Sequence, residues 1–159
     1  MPSNLTPDFR KSKAFDIDAG FLAGAGIAAL IIDIDNTLVE WRGEEPGDVA
    51  VAWITSLKRA GIKLALVSNA GGPRALRMGE RLGIPAVAPA KKPMKTGFMK
   101  ALSKLGTKPE ETAVVGDQIF TDVLGAHRCG LKTILVDPFS EKEFVATKIM
   151  RYFERRLGR

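Results

Sequence analysis

At 159 residues the chain can bury one proper core and hardly two. Apolar residues make up 45% and charged residues 26%, a globular balance that excludes a disordered or fibrous chain. The net charge of +6 favours anionic partners without choosing among phosphorylated metabolites, acidic lipid and nucleic acid, and the single cysteine, Cys129, excludes both an internal disulfide and a cysteine-cluster metal site.

The opening "MPSNLTPDFRKSK" has no apolar core behind its charges, so it does not read as a secretory leader. Residues 1–26 form a lead-in with the weakest pattern in the chain. The longest uncharged stretch, residues 19–32, has 14 residues and three glycines. A membrane-spanning helix needs about 20. With one cysteine and no span, the expected setting is cytoplasmic.

From residue 27 onward strands and helices alternate. "IAALIID" (27–33) is short, apolar and bounded by turn residues, which predicts a buried strand. "GDVAVAWITSLKRAG" predicts a helix that buries Val49, Trp53, Ile54 and Leu57 and stops at Gly61. "IKLALVSN" (62–69) predicts a second strand, "PRALRMGERLG" a short helix, and "AVAP" (86–89) a brief third strand. "TGFMKALSKLG" places Phe98, Leu102 and Leu105 at helical spacing. "TAVVGD" (112–117) is a fourth strand, "FTDVLGAHRCG" a helix closed by Gly130, and "KTILVDP" a fifth strand. "EKEFVATKIMRYFERRLGR" predicts a long terminal helix. Short crossover helices require parallel strands joined by right-handed connections. The expected fold is α/β: a central five-strand parallel sheet between two helical layers, one domain over 1–159.

In such sheets ligands bind beyond the carboxyl ends of the strands. There the sequence delivers Asp33, Asp35 and Thr37 after the first strand, and Ser68 and Asn69 after the second. Lys91 and Lys92 follow the third, Asp117 and Asp122 the fourth. Clustered carboxylates repel each other, so a cation should offset them. Oxygen donors with no His or Cys among them favour a hard ion, Mg²⁺ above all. Mg²⁺ beside a lysine and a hydroxyl is what a phosphoryl group needs. One carboxylate can attack phosphorus to form an aspartyl-phosphate, while a second protonates the leaving oxygen and then activates water.

The order of these motifs resembles the haloacid dehalogenase (HAD) superfamily of phosphatases. "DIDNT", Ser68 in "LVSN", Lys92 in "KKP" and the acids of "GDQIFTD" match its four motifs in order, over roughly residues 27–138. The resemblance implies a Rossmann-like HAD fold and assigns roles. Asp33 is the nucleophile. Asp35 is the general acid/base, with its main-chain carbonyl on Mg²⁺. Thr37 orients Asp35 and holds the loop. Ser68 and the Asn69 amide bind phosphate. Lys92 bridges nucleophile and phosphate. Asp117 ligates Mg²⁺, and Asp122 is a ligand or acts through water. The wording of "LIIDIDNTLVEW", "VSNA", "AKKP" and "VGDQIFTDVLGAHRCG" is similar to the bacterial YqeG-like branch, related to mitochondrial phosphatidylglycerophosphate phosphatases. One departure from the general pattern stands out: the fourth-motif acids, Asp117 and Asp122, are five apart instead of four.

Many superfamily members carry a cap domain after the first motif or between the second and third. Here 29 residues separate Leu38 from Ser68 and 23 separate Ser68 from Lys92, and predicted elements fill both gaps. No cap fits. An open site suits a phosphate on something large or lipid-linked, unless a second subunit covers it in a homo-oligomer. Trp41 and Arg42, in the loop after the first motif, are candidate substrate contacts. The terminal segment 140–159 carries an apolar stripe (Val145, Ile149, Tyr152, Phe153, Leu157) flanked by Lys148, Arg151, Arg155 and Arg159. Such a helix docks on the sheet or lies on an anionic membrane at its inner face.

Two other functions compete. A receiver-like module would need an acid after the third strand, where "APAKKP" has none. A non-catalytic scaffold contacting nucleic acid would show interleaved aromatic and basic residues, and that pattern is missing. His127 is expected to be structural.

Overall fold

The computed structural model describes residues 2–139 and 154–157. Six strands form one parallel sheet: β1 (Phe9–Lys11), β2 (Ala29–Asp33), β3 (Lys63–Val67), β4 (Ala86–Val87), β5 (Thr112–Gly116) and β6 (Lys132–Val136). Their order is β1-β6-β5-β2-β3-β4. The helices are α1 (Ala19–Gly24), α2 (Asp48–Arg59), α3 (Gly72–Leu82), α4 (Lys95–Leu105) and α5 (Leu124–Arg128). Among the described residues no helix is long and apolar enough to cross a membrane.

Strand alternation sorts the core into two layers. Leu30, Ile32, Leu64, Leu66, Ala113 and Val115 face α1, α2 and α3, whose Leu22, Trp53, Ile54, Leu57 and Met78 close that side. Ala29, Ile31, Ala65, Val67 and Val114 face α4 and α5, and meet Phe98, Ala101, Leu102, Leu105 and Ala126. Strands buried on both faces read as unbroken apolar runs, which is why the inner strands were visible in the sequence. β2 lies between β3 and β5, so the chain's connections diverge at its carboxyl end. That is the crevice where such sheets bind ligands. Residues 34–47 and 68–71 link strands to helices directly, and no cap is inserted.

Three expectations change. The sheet has six strands, not five. β1 is only three residues long, too short for a periodicity signal, and pairs with β6 through Phe9↔Ile134 to Lys11↔Val136. Val49 is not on the buried face of α2: it is 64% exposed and Ala50 takes its place at 1%. The expected single helix at 120–130 is a π-helical segment, Ile119–Val123, followed by α5. The expected terminal helix lies outside the described residues except for the helical turn at 154–156. His127 is structural: its ring nitrogens lie 3.0 Å from the Asn4 carbonyl and 3.1 Å from Asp8, tying the N-terminal stretch to α5.

Candidate active site

β2 ends at Asp33, and the chain then turns tightly. The N–H groups of Leu38 and Val39 both donate to the Ile34 carbonyl, at 3.0 and 3.1 Å. Asn36 stands in the left-handed region, φ 61°, a conformation asparagine tolerates better than most residues. The turn swings Thr37 back over the strand end. Its hydroxyl lies 3.4 Å from Asp33 Oδ2 and 3.3 Å from Asp117 Oδ1. Thr37 therefore bridges Asp33 and Asp117 and does not orient Asp35.

Lys92 is the hub of the buried site. Its ammonium donates to Asp33 Oδ1 at 2.8 Å and to Asp122 Oδ1 at 2.6 Å. Burial opposes its charge, but Asp122 and Asp33 outweigh that and hold the ammonium above its ordinary pKa. The Asn69 side chain fixes the Lys92 backbone by a reciprocal pair, accepting from Lys92 N at 2.7 Å and donating to its carbonyl at 3.0 Å. The side chain of Asn69 is thus committed to the loop. Ser68 is buried, and its Oγ accepts the Ala70 N–H at 3.1 Å, which shapes the turn into α3. Lys91 is exposed and stands apart from the buried contacts of Lys92.

The π-helical segment explains the five-residue spacing of the fourth motif. The Val123 N–H reaches the Gln118 carbonyl, five residues back, at 3.3 Å. The wider turn accommodates one extra residue and still delivers Asp122 to the site. Asp122 Oδ2 accepts the Gln118 N–H at 3.2 Å while Oδ1 holds Lys92. Gly116 is required here, because a Cβ would collide with the Asp122 carboxylate. Glu154, buried and distant in sequence, accepts the Ile119 and Phe120 N–H groups at 2.8 and 3.2 Å. A carboxylate at the positive end of this segment satisfies two N–H groups left over at a helix start.

One oxygen from each of Asp33, Asp117 and Asp122 falls within 4.8 Å of the others. Burial, then the charges of Asp122 and Asp117, push Asp33 well above the usual carboxylate pKa, against the pull of Lys92. Among the described residues, the Lys92 ammonium faces three buried carboxylates. The all-oxygen donor set and its surplus of negative charge fit a divalent cation.

Asp35 goes elsewhere. Its two oxygens accept from Arg74 Nη1 at 3.1 Å and Nη2 at 2.8 Å, and Oδ1 also accepts the Arg42 N–H at 2.8 Å. The Arg42 guanidinium lies 4.5 Å over the Trp41 ring. The sequence reading missed Arg74 and Glu154. Arg74 had one usable signal: it sits in the first turn of α3, where the helix dipole disfavours a cation.

The chain is 38% identical over 151 residues to the probable phosphatase YqeG of Bacillus subtilis, covering 95% of this chain and 88% of that one. The family model "HAD-hyrolase-like" matches residues 89–138, from Pro89 before the site lysine past Asp117 and Asp122. The chain belongs to the haloacid dehalogenase-like hydrolases. A weaker likeness, 28% over 149 residues, links it to the chloroplastic phosphatidylglycerophosphate phosphatase 1 of Chlamydomonas reinhardtii, covering 88% of this chain and 54% of that one. The cobalt-bound deoxy-D-mannose-octulosonate 8-phosphate phosphatase of Haemophilus influenzae shares the fold, with TM-score 0.56 at 20% identity over 79% of this chain and 75% of that one. This haloacid dehalogenase-like hydrolase is a phosphatase acting on phosphoric monoesters, and it carries a buried acidic triad able to hold a divalent metal.

Proposed function

We propose that the phosphatase works through an aspartyl-phosphate on Asp33, with Mg²⁺ as its metal, on a phosphomonoester that is large or lipid-linked. The observation that carries this reading is the buried chain Asp33–Lys92–Asp122, with contacts of 2.8 and 2.6 Å. It leaves Asp33 at the strand tip with a fixed cation beside it. The Asp33 oxygen attacks phosphorus and the ester oxygen departs with a proton from Asp35. Water, giving its proton to Asp35, then attacks the phosphoryl group and restores the Asp33 carboxylate. Lys92 neutralises charge on the transferring oxygens, and Ser68 with the Asn69 main-chain amide receives the phosphate. Asp33, the Asp35 main-chain carbonyl, Asp117 and Asp122 would hold Mg²⁺, which when bound offsets the negative charge of the carboxylates and the phosphoryl group.

The absence of a cap among the described residues supports a large substrate. The likeness to a phosphatidylglycerophosphate phosphatase supports a phospholipid of that class, met at a membrane's inner face. The test is a panel of phosphomonoesters, phosphatidylglycerophosphate in mixed micelles included, assayed with Mg²⁺ and after chelation. Asp33→Asn should lower turnover by about a thousandfold or more. Turnover undiminished in Asp33→Asn would remove Asp33 as the nucleophile.

A further inference from the structure

Arg74 is mostly buried, 14% exposed in its side chain, and each of its three guanidinium nitrogens has a partner. Nη1 and Nη2 grip Asp35 at 3.1 and 2.8 Å, and Nε donates to the Gly43 carbonyl at 2.8 Å. It stands in the first turn of α3, just beyond the Ser68–Asn69 strand end. The same grip draws in the loop after the first motif. There Arg42 adopts a left-handed φ of 60°, uncommon for a non-glycine residue, and adds its N–H to Asp35. Both oxygens of Asp35 are therefore engaged by Arg74, and Oδ1 by the Arg42 N–H as well.

Releasing Asp35 leaves a mostly buried guanidinium without its anion, which is costly unless another anion replaces it. The planar fork fits a carboxylate or phosphate. We propose that Arg74 determines specificity: it receives a second anionic group carried on the alcohol portion of the substrate, and the exchange frees Asp35 to serve the leaving oxygen. This rests on Asp33 and Asp35 acting as nucleophile and acid. The substrate class narrows to phosphomonoesters whose alcohol bears a carboxylate, phosphate or phosphodiester. A substrate with a neutral alcohol must break the Arg74–Asp35 pair with nothing to put in its place.

The experiment compares kcat/KM of the full chain with Mg²⁺ on matched short alkyl phosphates that end in a carboxylate or in a hydroxymethyl group, over several chain lengths. Wild type should prefer the carboxylate member by about ten- to a hundredfold at the best length, the worth of a charge-assisted pair. Arg74→Gln should bring the ratio near one, and Arg74→Lys, which keeps the charge without the fork, should fall between. Arg77→Gln, on the exposed face of the same helix, should keep the wild-type ratio. Parity in wild type at every length, or an undiminished preference in Arg74→Gln and Arg74→Lys, overturns the proposal and leaves the phosphatase reading standing. Wild type inactive on every member but active on the wider phosphomonoester panel overturns this proposal alone, and inactivity on the panel as well removes the phosphatase reading with it.

Discussion

Asp33 and Asp35 stand two residues apart in one motif, yet they occupy opposite kinds of surroundings. Asp33 belongs to a dry site built from strand ends, where its partner Lys92 is 3% exposed. Asp35 belongs to a rim built from a loop and a helix start, where it is 21% exposed and its partner Arg74 14%. Both are carboxylates with a cation at 2.8 Å. The difference is what surrounds the pair. Asp33 shares its cation with Asp122, near Asp117, and cannot shed it without moving buried charges. Asp35 holds its cation alone, at the edge of water. A nucleophile benefits from the fixed arrangement, and a group that must change partners benefits from the loose one. The tight turn after Asp33 separates the two.

Substitutions can break this contrast. Lys92→Met should destabilise the metal-free protein most, by about 3–5 kcal/mol in urea unfolding, because it strands buried carboxylates. Added Mg²⁺ should recover part of the loss. Gly116→Ala should cost about 2–3 kcal/mol and most of the activity, since its methyl displaces the Asp122 carboxylate. Arg74→Gln should cost about 1–2 kcal/mol, because water reaches the rim pair and replaces part of what is lost. A cost for Arg74→Gln equal to that of Lys92→Met would erase the distinction between dry site and rim. The smallest effect belongs to Asp8, at the opposite, amino end of β6. Burial pushes its pKa up, but hydrogen bonds from His127 and Thr133 outweigh this and leave it lowered from 3.8. A lowered carboxylate stabilises the fold above its unfolded pKa and loses that contribution as pH falls through the folded value. Asp8→Asn should therefore cost about 1 kcal/mol at neutral pH, discounted for its exposure, and nothing once the pH is well below 3.8. Activity should not change, which makes it the control for both ends of the site.

What could be read from the sequence follows from how each feature is encoded. The inner strands and the residues at their tips were legible because two-sided burial writes continuous apolar runs that stop at polar residues. β1 was not legible: three residues carry no period, and its place beside β6 is fixed by the Asp8–Thr133 exchange, with N–H to oxygen contacts of 2.9 Å in both directions. The π-helical turn was hinted at by the wider spacing of Asp117 and Asp122, but spacing alone does not say where the extra residue goes. Arg74 and Glu154 were hidden for one reason. Each is a charged residue on a stretch with several others, and apart from Arg74's place in the first turn of α3 only the tertiary contact separates it from the solvated ones. Thr37 was placed in the site, but its partner was misjudged, because the turn directs its hydroxyl toward Asp117 and not toward Asp35.

The central claim is that phosphate passes through a covalent bond to Asp33 and leaves only when Asp35 activates water. Acid-quenching Asp35→Asn during turnover of an aryl phosphate, whose leaving group needs no acid, tests it directly. The account predicts a phosphoryl group on the peptide that contains Asp33, released by hydroxylamine and missing when Asp33 is also changed to Asn. A quenched enzyme that turns substrate over and carries no such adduct, or carries it on another residue, would contradict it.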